Sequence, residues 1–473
     1  MTATARARVT SRTIIGSVAG AGAILTIACS PAAGMPGMRA DLTTTAAAAH
    51  AVTGSAAHAS TAASVSPVTE VSKGCAGRNA EVETATGAPN YVYDLWIGCG
   101  GIGFARSTDG GLHFGQPVAV PGSRGASWDP ALAVAPDGTV YVAFMHQANR
   151  QQYPMVDASA DHGASFPQVS ALLPARKGNW GDRDFIAVSK TGTVYVTWDY
   201  GPSAALVKLL CAHDGSCAFR AGDMNTVIQR STDSGKTWGP IIPVGPGFPR
   251  GGGYSAPVLA GPDGRVDLLS WGHVVSPPPS YALHPGHEFF ASSANGTTWP
   301  RHLTEVGASA GSIALPTWWV DGDLSRDQGG TLYATWDTQG PAGDIGWLSF
   351  SVNDGASWSA PVRVTPDTGK AGHLVEVRGG AAGVAYVAWQ TGAPAAGYAT
   401  YLRPYAPGRG WLGPRIGVSG RFGNRKIWPG DTFGIAALPR GPATRLALSW
   451  GSAVGGNKNS EIYAAVVTPP AAR

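Results

Sequence analysis

Charged residues are scarce in this chain: Asp, Glu, Lys and Arg make up 14% of its 473 residues, and only seven of them are glutamates. Long amphipathic helices need a charged face, so this composition disfavours a helical protein. The sequence also lacks a glycine-rich phosphate loop and a Gly-x-Ser-x-Gly nucleophile elbow. Neither nucleotide binding nor α/β-hydrolase chemistry is therefore indicated.

Long hydrophobic runs are missing as well, except near the start of the chain. Three arginines precede an uncharged apolar run from Ile14 to Ala28, which is typical of a secretory signal and too short and glycine-rich for a transmembrane helix. The run ends in Leu-Thr-Ile-Ala-Cys, so Cys29 is a candidate lipidation site; the alternative is cleavage nearby and free secretion. We therefore expect residues 1–28 to be removed and the protein to be secreted or lipid-anchored outside the bacterial cytoplasmic membrane.

Removal of the leader takes three positive charges from a formal net charge of +4 and leaves +1. Such a balance does not indicate a nucleic-acid partner. We expect membrane contact only through a lipid on Cys29, and we expect a monomer.

Cysteine is rare, and the five residues are an odd number. With Cys29 set aside, proximity in sequence favours two disulfides, Cys75 with Cys99 and Cys211 with Cys217. A zinc site is the alternative for four cysteines, but the spacings do not match zinc-binding patterns. Residues 321–327 resemble the opening of a calcium loop but lack its sixth-position Gly and closing Glu. We expect no metal and no cofactor.

Glycine (66) and proline (36), by contrast, are abundant, and 44% hydrophobic residues with 16 Trp can bury a sizeable core. This mixture favours many short strands joined by turns. Residues 29–67 are rich in Ala, Thr, Ser and Pro and are predicted to form a flexible tether. One folded domain is expected over 68–468, followed by a tail at 469–473.

A repeated unit fills that domain. Each unit contains a strand, a glycine turn and a second strand that ends in an aromatic residue, as in Val194, Val196 and Trp198. The seven segments lie at 90–96, 129–144, 184–198, 256–271, 328–336, 378–389 and 439–450. Two further strands complete each unit, which predicts an all-β fold, a β-propeller of four-stranded antiparallel blades. Seven blades are predicted, with the strand at 67–72 closing the last one; six blades are the alternative.

A second repeat lies at the turn after the third strand. Its five copies run from Ser107 to Phe114, Ser159 to Phe166, Ser231 to Trp238, Ser292 to Trp299 and Ser351 to Trp358. They resemble the Asp-box, or bacterial neuraminidase repeat, of sialidases and related propellers. In such a turn an Asp is expected to accept N–H groups one and two residues on, and the aromatic to wedge between sheets. The resemblance implies a structural role, opposite the active face, for Asp109, Asp161, Asp233, Asn353, Trp238, Trp299 and Trp358. Ala294 in the fourth copy predicts a looser turn.

Candidate functional residues lie in the loops that precede the first strands. An aromatic residue followed by Asp recurs there, and Trp faces suit sugar rings while carboxylates suit hydroxyls or acid–base chemistry. The alternative is that these residues pack the axis and satisfy first-strand backbone. The candidates for substrate binding are Trp128, Trp180, Trp319, Asp321, Trp428 and Asp431, with Arg183, Arg250 and Arg425 as cations on the same rim.

The sialidase resemblance implies an arginine triad, a Tyr nucleophile activated by Glu, and an Asp acid. By type and position these are Arg183, Arg250 and Arg425, then Tyr254 with Glu288 or Glu376, and Asp129 or Asp182. The Arg-Ile-Pro motif that opens sialidase domains is absent. Three functions stay open: a sialidase-like glycoside hydrolase, a non-catalytic surface propeller that binds glycan or protein, and a polysaccharide lyase with Tyr254 or His273 as base. All three make a carbohydrate or glycoconjugate the expected partner.

Overall fold

The computed structural model describes most of the chain between residues 62 and 470. The described ranges are 62–149, 151–173, 179–201, 208–211, 217–221, 225–244, 253–254, 257–261, 263–272, 287–308, 322–340, 343–365, 371–393, 397–420, 430, 432–439, 444–453 and 459–470. They belong to one compact unit, Ala59–Arg473. The predicted leader, Cys29 and most of the predicted tether lie outside these ranges. Across the described residues, no helix has the length and apolar character that a membrane span needs.

Strands make up almost all of the described regular structure, as the composition predicted. A single 3-10 turn, Pro121–Ser123, accompanies them. The strands are β1 (Ser64–Val65), β2 (Thr69–Glu70), β3 (Ala80–Gly87), β4 (Tyr91–Gly98), β5 (Gly101–Ser107), β6 (Val118–Ala119), β7 (Ser127–Val134), β8 (Val140–Ala148), β9 (Gln151–Ser159), β10 (Gln168–Ala171), β11 (Trp180–Val188), β12 (Val194–Gly201), β13 (Lys208–Cys211), β14 (Cys217–Ala221), β15 (Asn225–Ser231), β16 (Ile242–Pro243), β17 (Gly253–Tyr254), β18 (Val258–Ala260), β19 (Val266–Gly272), β20 (His287–Ser293), β21 (Thr304–Ala308), β22 (Asp323–Arg326), β23 (Leu332–Gly340), β24 (Gly343–Ser351), β25 (Val362–Arg363), β26 (Ala371–Gly379), β27 (Ala385–Ala393), β28 (Gly397–Ala406), β29 (Gly410–Trp411), β30 (Ile416–Gly417), β31 (Gly434–Ala437), β32 (Leu446–Ser452) and β33 (Glu461–Thr468).

These strands form seven antiparallel sheets, the blades of a β-propeller, so the predicted fold class and blade number are confirmed. In chain order the blades are β3–β6, β7–β10, β11 with β12, β15 and β16, β17 to β21, β22–β25, β26 to β30, and β31–β33 with β1 and β2. The first strands of neighbouring blades pack against one another around the axis. We call the face on which these first strands begin the upper face. Strands β13 and β14 form a separate two-stranded ribbon inserted in blade 3.

Blade 7 is closed by the start of the domain, as the sequence predicted. Thr69 and Glu70 pair with Ala464 and Tyr463 of β33. The sheet begins earlier than the predicted domain boundary, because β1 pairs Ser64 with Thr468 inside the segment assigned to the tether. Both ends of the domain therefore share one sheet.

The Cys75–Cys99 disulfide is present and ties the segment after β2 to the β4–β5 hairpin. Cys211 lies directly opposite Cys217 in the backbone register of the β13–β14 ribbon. The side chains of these two cysteines lie outside the described part of the structure, so their pairing stays a prediction.

The core lies between the blades, where one aromatic position recurs in the second strand of each sheet. Five tryptophans at this position are 2% exposed or less: Trp96, Trp198, Trp336, Trp389 and Trp450. Phe144 takes the corresponding place in blade 2 and is fully buried. In these six sheets a large buried ring at the same level fills the space between neighbouring blades, which explains why their second strands end in aromatics.

The five predicted turns join third and fourth strands, but their hydrogen bonds differ from the expectation. Asp109 Oδ1 accepts from Leu112 N and His113 N, three and four residues on, not one and two. Ser107 Oγ accepts from Gly111 N at 2.9 Å and donates to Asp109. The serine hydroxyl therefore accepts the buried N–H of the turn, while the carboxylate accepts the two exposed N–H groups.

The fourth turn corrects the expectation of a looser reversal at Ala294. The capping pair is Ser293 and Asn295, one residue further along, and Asn295 Oδ1 accepts from Thr297 N at 2.8 Å and Thr298 N at 3.1 Å. The turn is thus one residue shorter than the other four and keeps its acceptor.

The aromatics of the turns do wedge between blades, as predicted. Phe166 of blade 2 lies edge-on to Phe104 of blade 1, with ring centroids 4.9 Å apart. Trp358 of blade 5 meets Phe290 of blade 4 in the same way at 5.4 Å. Trp238 Nε1 donates to Ser170 Oγ of the preceding blade. Each turn therefore fastens its blade to the one before.

Candidate functional site

Four predicted site residues come together at the upper rim between blades 2 and 3. Trp128 and Asp129 lie on β7, and Asp182 and Arg183 lie on β11. The indole N–H of Trp128 donates to Asp182 Oδ1 at 2.7 Å, and the backbone N–H of Arg183 donates to Asp129 Oδ2 at 2.8 Å. Each strand thus has one carboxylate that accepts a hydrogen bond from the other strand. We call these four residues the rim cluster.

A backbone bulge places these side chains. The pairing of β7 with β8 shifts register between Trp128 and Ala131, and Asp129 has φ 48°. Strand β11 repeats the irregularity, and Arg183 has φ 48°. An extra residue in a strand redirects the side chains beside it, here towards the neighbouring blade. Strands β3 and β26 have the same kind of bulge, at Glu81 (φ 52°) and Leu374 (φ 49°).

The members of the rim cluster differ in accessibility. Trp128, Asp129 and Asp182 are half-buried, whereas Arg183 is buried and so is the nearby Trp180. Trp128 is therefore the aromatic member of the rim cluster, and it is only partly exposed.

Asp184 adds a buried acid beneath the rim cluster. Burial, reinforced by the carboxylates of Asp129 and Asp182, raises its pKa well above the usual value. This shift favours the protonated form of Asp184. It is 3% exposed, so it cannot contact a glycan directly.

A polar rung on the other side of blade 2 was missed by the sequence analysis. Ser127, His146 and Tyr153 are paired in register across β7, β8 and β9. Ser127 Oγ lies 2.9 Å from His146 Nδ1, and the His146 and Tyr153 rings meet edge-on with centroids 6.0 Å apart. Burial lowers the pKa of His146. The three residues are scattered over 27 positions, and only strand pairing aligns them.

Tyr254 and Glu288 share one rung of blade 4, with Trp271 between them. Glu288 is fully buried, and burial together with the charge of Asp337 raises its pKa to about 8. One carboxyl oxygen lies 3.5 Å from the place where a Cβ would stand on Gly322, at the start of blade 5. Glu288 therefore points between blades 4 and 5. The side chain of Tyr254 lies outside the described residues.

Several predicted site residues fall on parts of the chain that the structure does not describe. These are Arg250, Arg425, Trp319, Asp321, Trp428, Asp431 and His273. Their roles stay predictions.

The propeller axis carries a cavity of about 250 Å³ to which all seven blades contribute. Glu376, the alternative partner for Tyr254, lies in its wall and not at the rim. Glu83, Asp323 and Arg378 lie there too. Within the described residues, no set of three His, Cys, Asp or Glu side chains is arranged to hold a metal ion.

Comparisons with known proteins support the architecture. No protein-family model matches this sequence, and no curated protein sequence matches it. Among solved structures, an ulvan lyase of a new polysaccharide lyase family superposes with a TM-score of 0.54 at 10% identity, covering 84% of this chain and 95% of its own. The NanB sialidase of Streptococcus pneumoniae gives 0.48 at 10% identity, over 74% of this chain and 70% of its own. A protein of unknown function from Dyadobacter fermentans gives 0.48 at 15% identity, over 72% and 94%. At 10% identity the likeness to the ulvan lyase shows the fold alone.

Proposed function

We propose that this chain is an exported, Asp-box β-propeller that binds glycans on its upper face, at the rim cluster of blades 2 and 3. The observation that carries the proposal is the Trp128–Asp182 pair. The indole is half-buried and its N–H donates to Asp182 at 2.7 Å, so the ring is held in one orientation, and we propose that its exposed part stacks on a sugar. Rings held in this way bind sugars at a small cost in conformational entropy.

The hydrogen bonds and the burial of the rim carboxyl groups favour binding without cleavage. Asp129 accepts the backbone N–H of Arg183, Asp182 accepts the indole of Trp128, and Asp184 is enclosed. Glycoside hydrolysis needs two carboxyl groups, or a Tyr with a Glu, that face the scissile bond together. The described carboxylates of the rim cluster instead accept hydrogen bonds that link β7 to β11.

The leader and the tether support export, and the tether would let the propeller reach ligands away from the cell surface. The solved structure of a polysaccharide lyase shares this fold and supports a carbohydrate as the proposed partner.

The test is a glycan array probed with the purified chain without its leader, followed by titration of the best ligand. Trp128→Ala is expected to weaken binding by at least about tenfold, because it removes the stacking surface. Trp411→Ala is the matched control, since Trp411 is half-buried at the outer edge of blade 6. An array without any bound glycan, or equal binding by Trp128→Ala and wild type, would contradict the proposal.

A sialidase-like glycoside hydrolase is the second candidate, and the rung that aligns Tyr254, Trp271 and Glu288 favours it. Release of a fluorogenic leaving group from an α-sialoside tests it. Turnover by the wild type that disappears in Tyr254→Phe would support hydrolysis and displace the binding proposal. No turnover in the wild type would exclude this candidate.

A further inference from the structure

The axial cavity has two chemically different walls. Blades 1, 5 and 6 supply ionisable groups, whereas blades 2 to 4 supply apolar ones. The apolar side chains include Leu132, Phe185, Ile186 and Leu259. Binding sites for drug-sized ligands start at about 300 Å³, so about 250 Å³ suits a ligand of about one sugar ring.

The ionisable wall holds three carboxyl groups and one guanidinium. Arg378 Nη1 lies 3.2 Å from Asp323 Oδ2, and the same guanidinium donates to the Val377 and Ile435 carbonyls. Asp323 also accepts the backbone N–H of Val377 at 2.8 Å. Arg378 and Asp323 therefore form a paired unit fixed to the backbone. Glu83 and Glu376 share the field of that single arginine.

Glu288 is a further buried acid close to the cavity wall. It is fully buried, and neither carboxyl oxygen has a hydrogen-bond partner among the described residues. One of its oxygens approaches Gly322, a glycine of the cavity wall. Glu288 therefore lies behind the cavity wall, between blades 4 and 5, and adds an acid next to the axial site.

We propose that the axial cavity binds a small hydroxylated ammonium compound, an amino sugar with a free amine, whose cation is held by Glu83 and Glu376. The hydroxyls would face the acids and Arg378, and the apolar face of the ring would lie against Phe185 and its neighbours. Among the described residues, no three His, Cys, Asp or Glu side chains are arranged to hold a metal ion here. This site is separate from the rim cluster and goes beyond the proposed function.

Binding of an ammonium group should release a proton. Burial, opposed by Arg378 and reinforced by Asp323 and Asp94, raises the pKa of Glu83 to about 8. Burial and the charges of Asp323 and Glu83 raise the pKa of Glu376 well above its usual value, against the effect of Arg378. Both shifts favour the protonated form of these acids in the empty cavity. A neighbouring cation favours the ionised form and displaces a proton.

Titration calorimetry of the purified chain with glucosamine tests the proposal. It is run at about pH 6.5, where an amine with a pKa of about 8 stays charged, in two buffers of different ionisation enthalpy. N-acetylglucosamine, which lacks the charge, and glucuronate, which carries the opposite one, are the ligand controls. Glucosamine should bind at least about tenfold more tightly than either, with release of up to one proton.

Glu376→Gln keeps the size and polarity of the side chain but cannot ionise. It should weaken glucosamine binding by about tenfold or more and reduce proton release. Glu305→Gln makes the same change on the outer strand β21, where the carboxylate is exposed, and should bind as the wild type does. A thermal melt of each variant separates loss of binding from loss of fold.

Three results would overturn the proposal: no binding of glucosamine by the folded wild type, equal affinity for N-acetylglucosamine, or binding without buffer-dependent heat. None of them bears on the rim cluster. The failure of one proposal is therefore distinguishable from the failure of the other.

Discussion

Ser72 Oγ donates a hydrogen bond to Glu461 Oε2 over 2.7 Å, although 389 residues separate the two in the chain. Asn79 Nδ2 donates to the same oxygen at 2.7 Å, and Trp96 Nε1 donates to Asn79 Oδ1 at 2.8 Å. One carboxylate at the start of β33 therefore connects the last blade to the segment that leads into the first. The ring is closed by side chains as well as by strand pairing.

Replacement of this carboxylate should loosen the closure. Glu461→Ala leaves two side-chain donors without their acceptor, and we expect a loss of about 1–3 kcal/mol in the free energy of unfolding. Urea denaturation measures it. Glu70→Ala, which removes an exposed acid from closing strand β2, should change stability little. Equal losses in the two variants would mean that the Glu461 network does not stabilise the closure.

The Cys75–Cys99 disulfide closes a loop of 24 residues near the same junction. Removal of both cysteines should cost about 3.5 kcal/mol by the chain-entropy estimate. Removal of Cys211 and Cys217, which would close a much shorter loop, should cost about 2.4 kcal/mol. Denaturant unfolding of the two double alanine variants compares these values. A larger loss from the shorter loop would contradict the chain-entropy account.

The buried serine of each lower-face turn should stabilise the fold. Ser231 is 1% exposed, and its Oγ accepts Gly235 N at 2.8 Å. Ser231→Ala leaves that buried N–H unsatisfied, so the free energy of unfolding should fall by about 1–3 kcal/mol. Lys236→Ala, an exposed change in the same turn, is the control. Similar unfolding midpoints for both variants would refute this role of the serine.

Glu288 should make stability dependent on pH. Its pKa in the folded protein is about 8, above its ordinary value of 4.5, so the stabilisation by the protonated form is complete below about pH 4.5 and is lost as pH rises towards 8. The slope between these values is about 1.4 kcal/mol per pH unit for one group. Glu288→Gln cannot titrate, so its stability relative to the wild type should increase from pH 5 to pH 8 in thermal or urea unfolding. A difference that stays constant across this range would show that Glu288 is ionised in the folded state.

The sequence predicted the parts of this fold that repeat. The aromatic that ends each second strand and the serine-containing turns recur often enough to predict blades, their number and their order. Closure by 67–72 was predicted because blade 7 lacked a fourth strand, and Thr69 pairs with Ala464 as expected.

Features that do not repeat could not be predicted from the sequence. The positive φ of Asp129 and Arg183 comes from strand bulges, which no residue type at these positions signals. The repeat pattern predicted that the fourth turn starts at Ser292, one residue too early. The turn is one residue shorter than the others, and only the hydrogen bonds of Asn295 reveal this. Glu83 and Glu376 meet on the axis from blades 1 and 6, and only ring closure brings them together.

The most direct test of the central claim is a crystal structure of the chain with the glycan that binds best on the array. The account predicts a sugar ring in van der Waals contact with the Trp128 indole, on the upper face between blades 2 and 3. A glycan bound at the lower turns around Asp233, or on the outer strands away from Trp128, would contradict it.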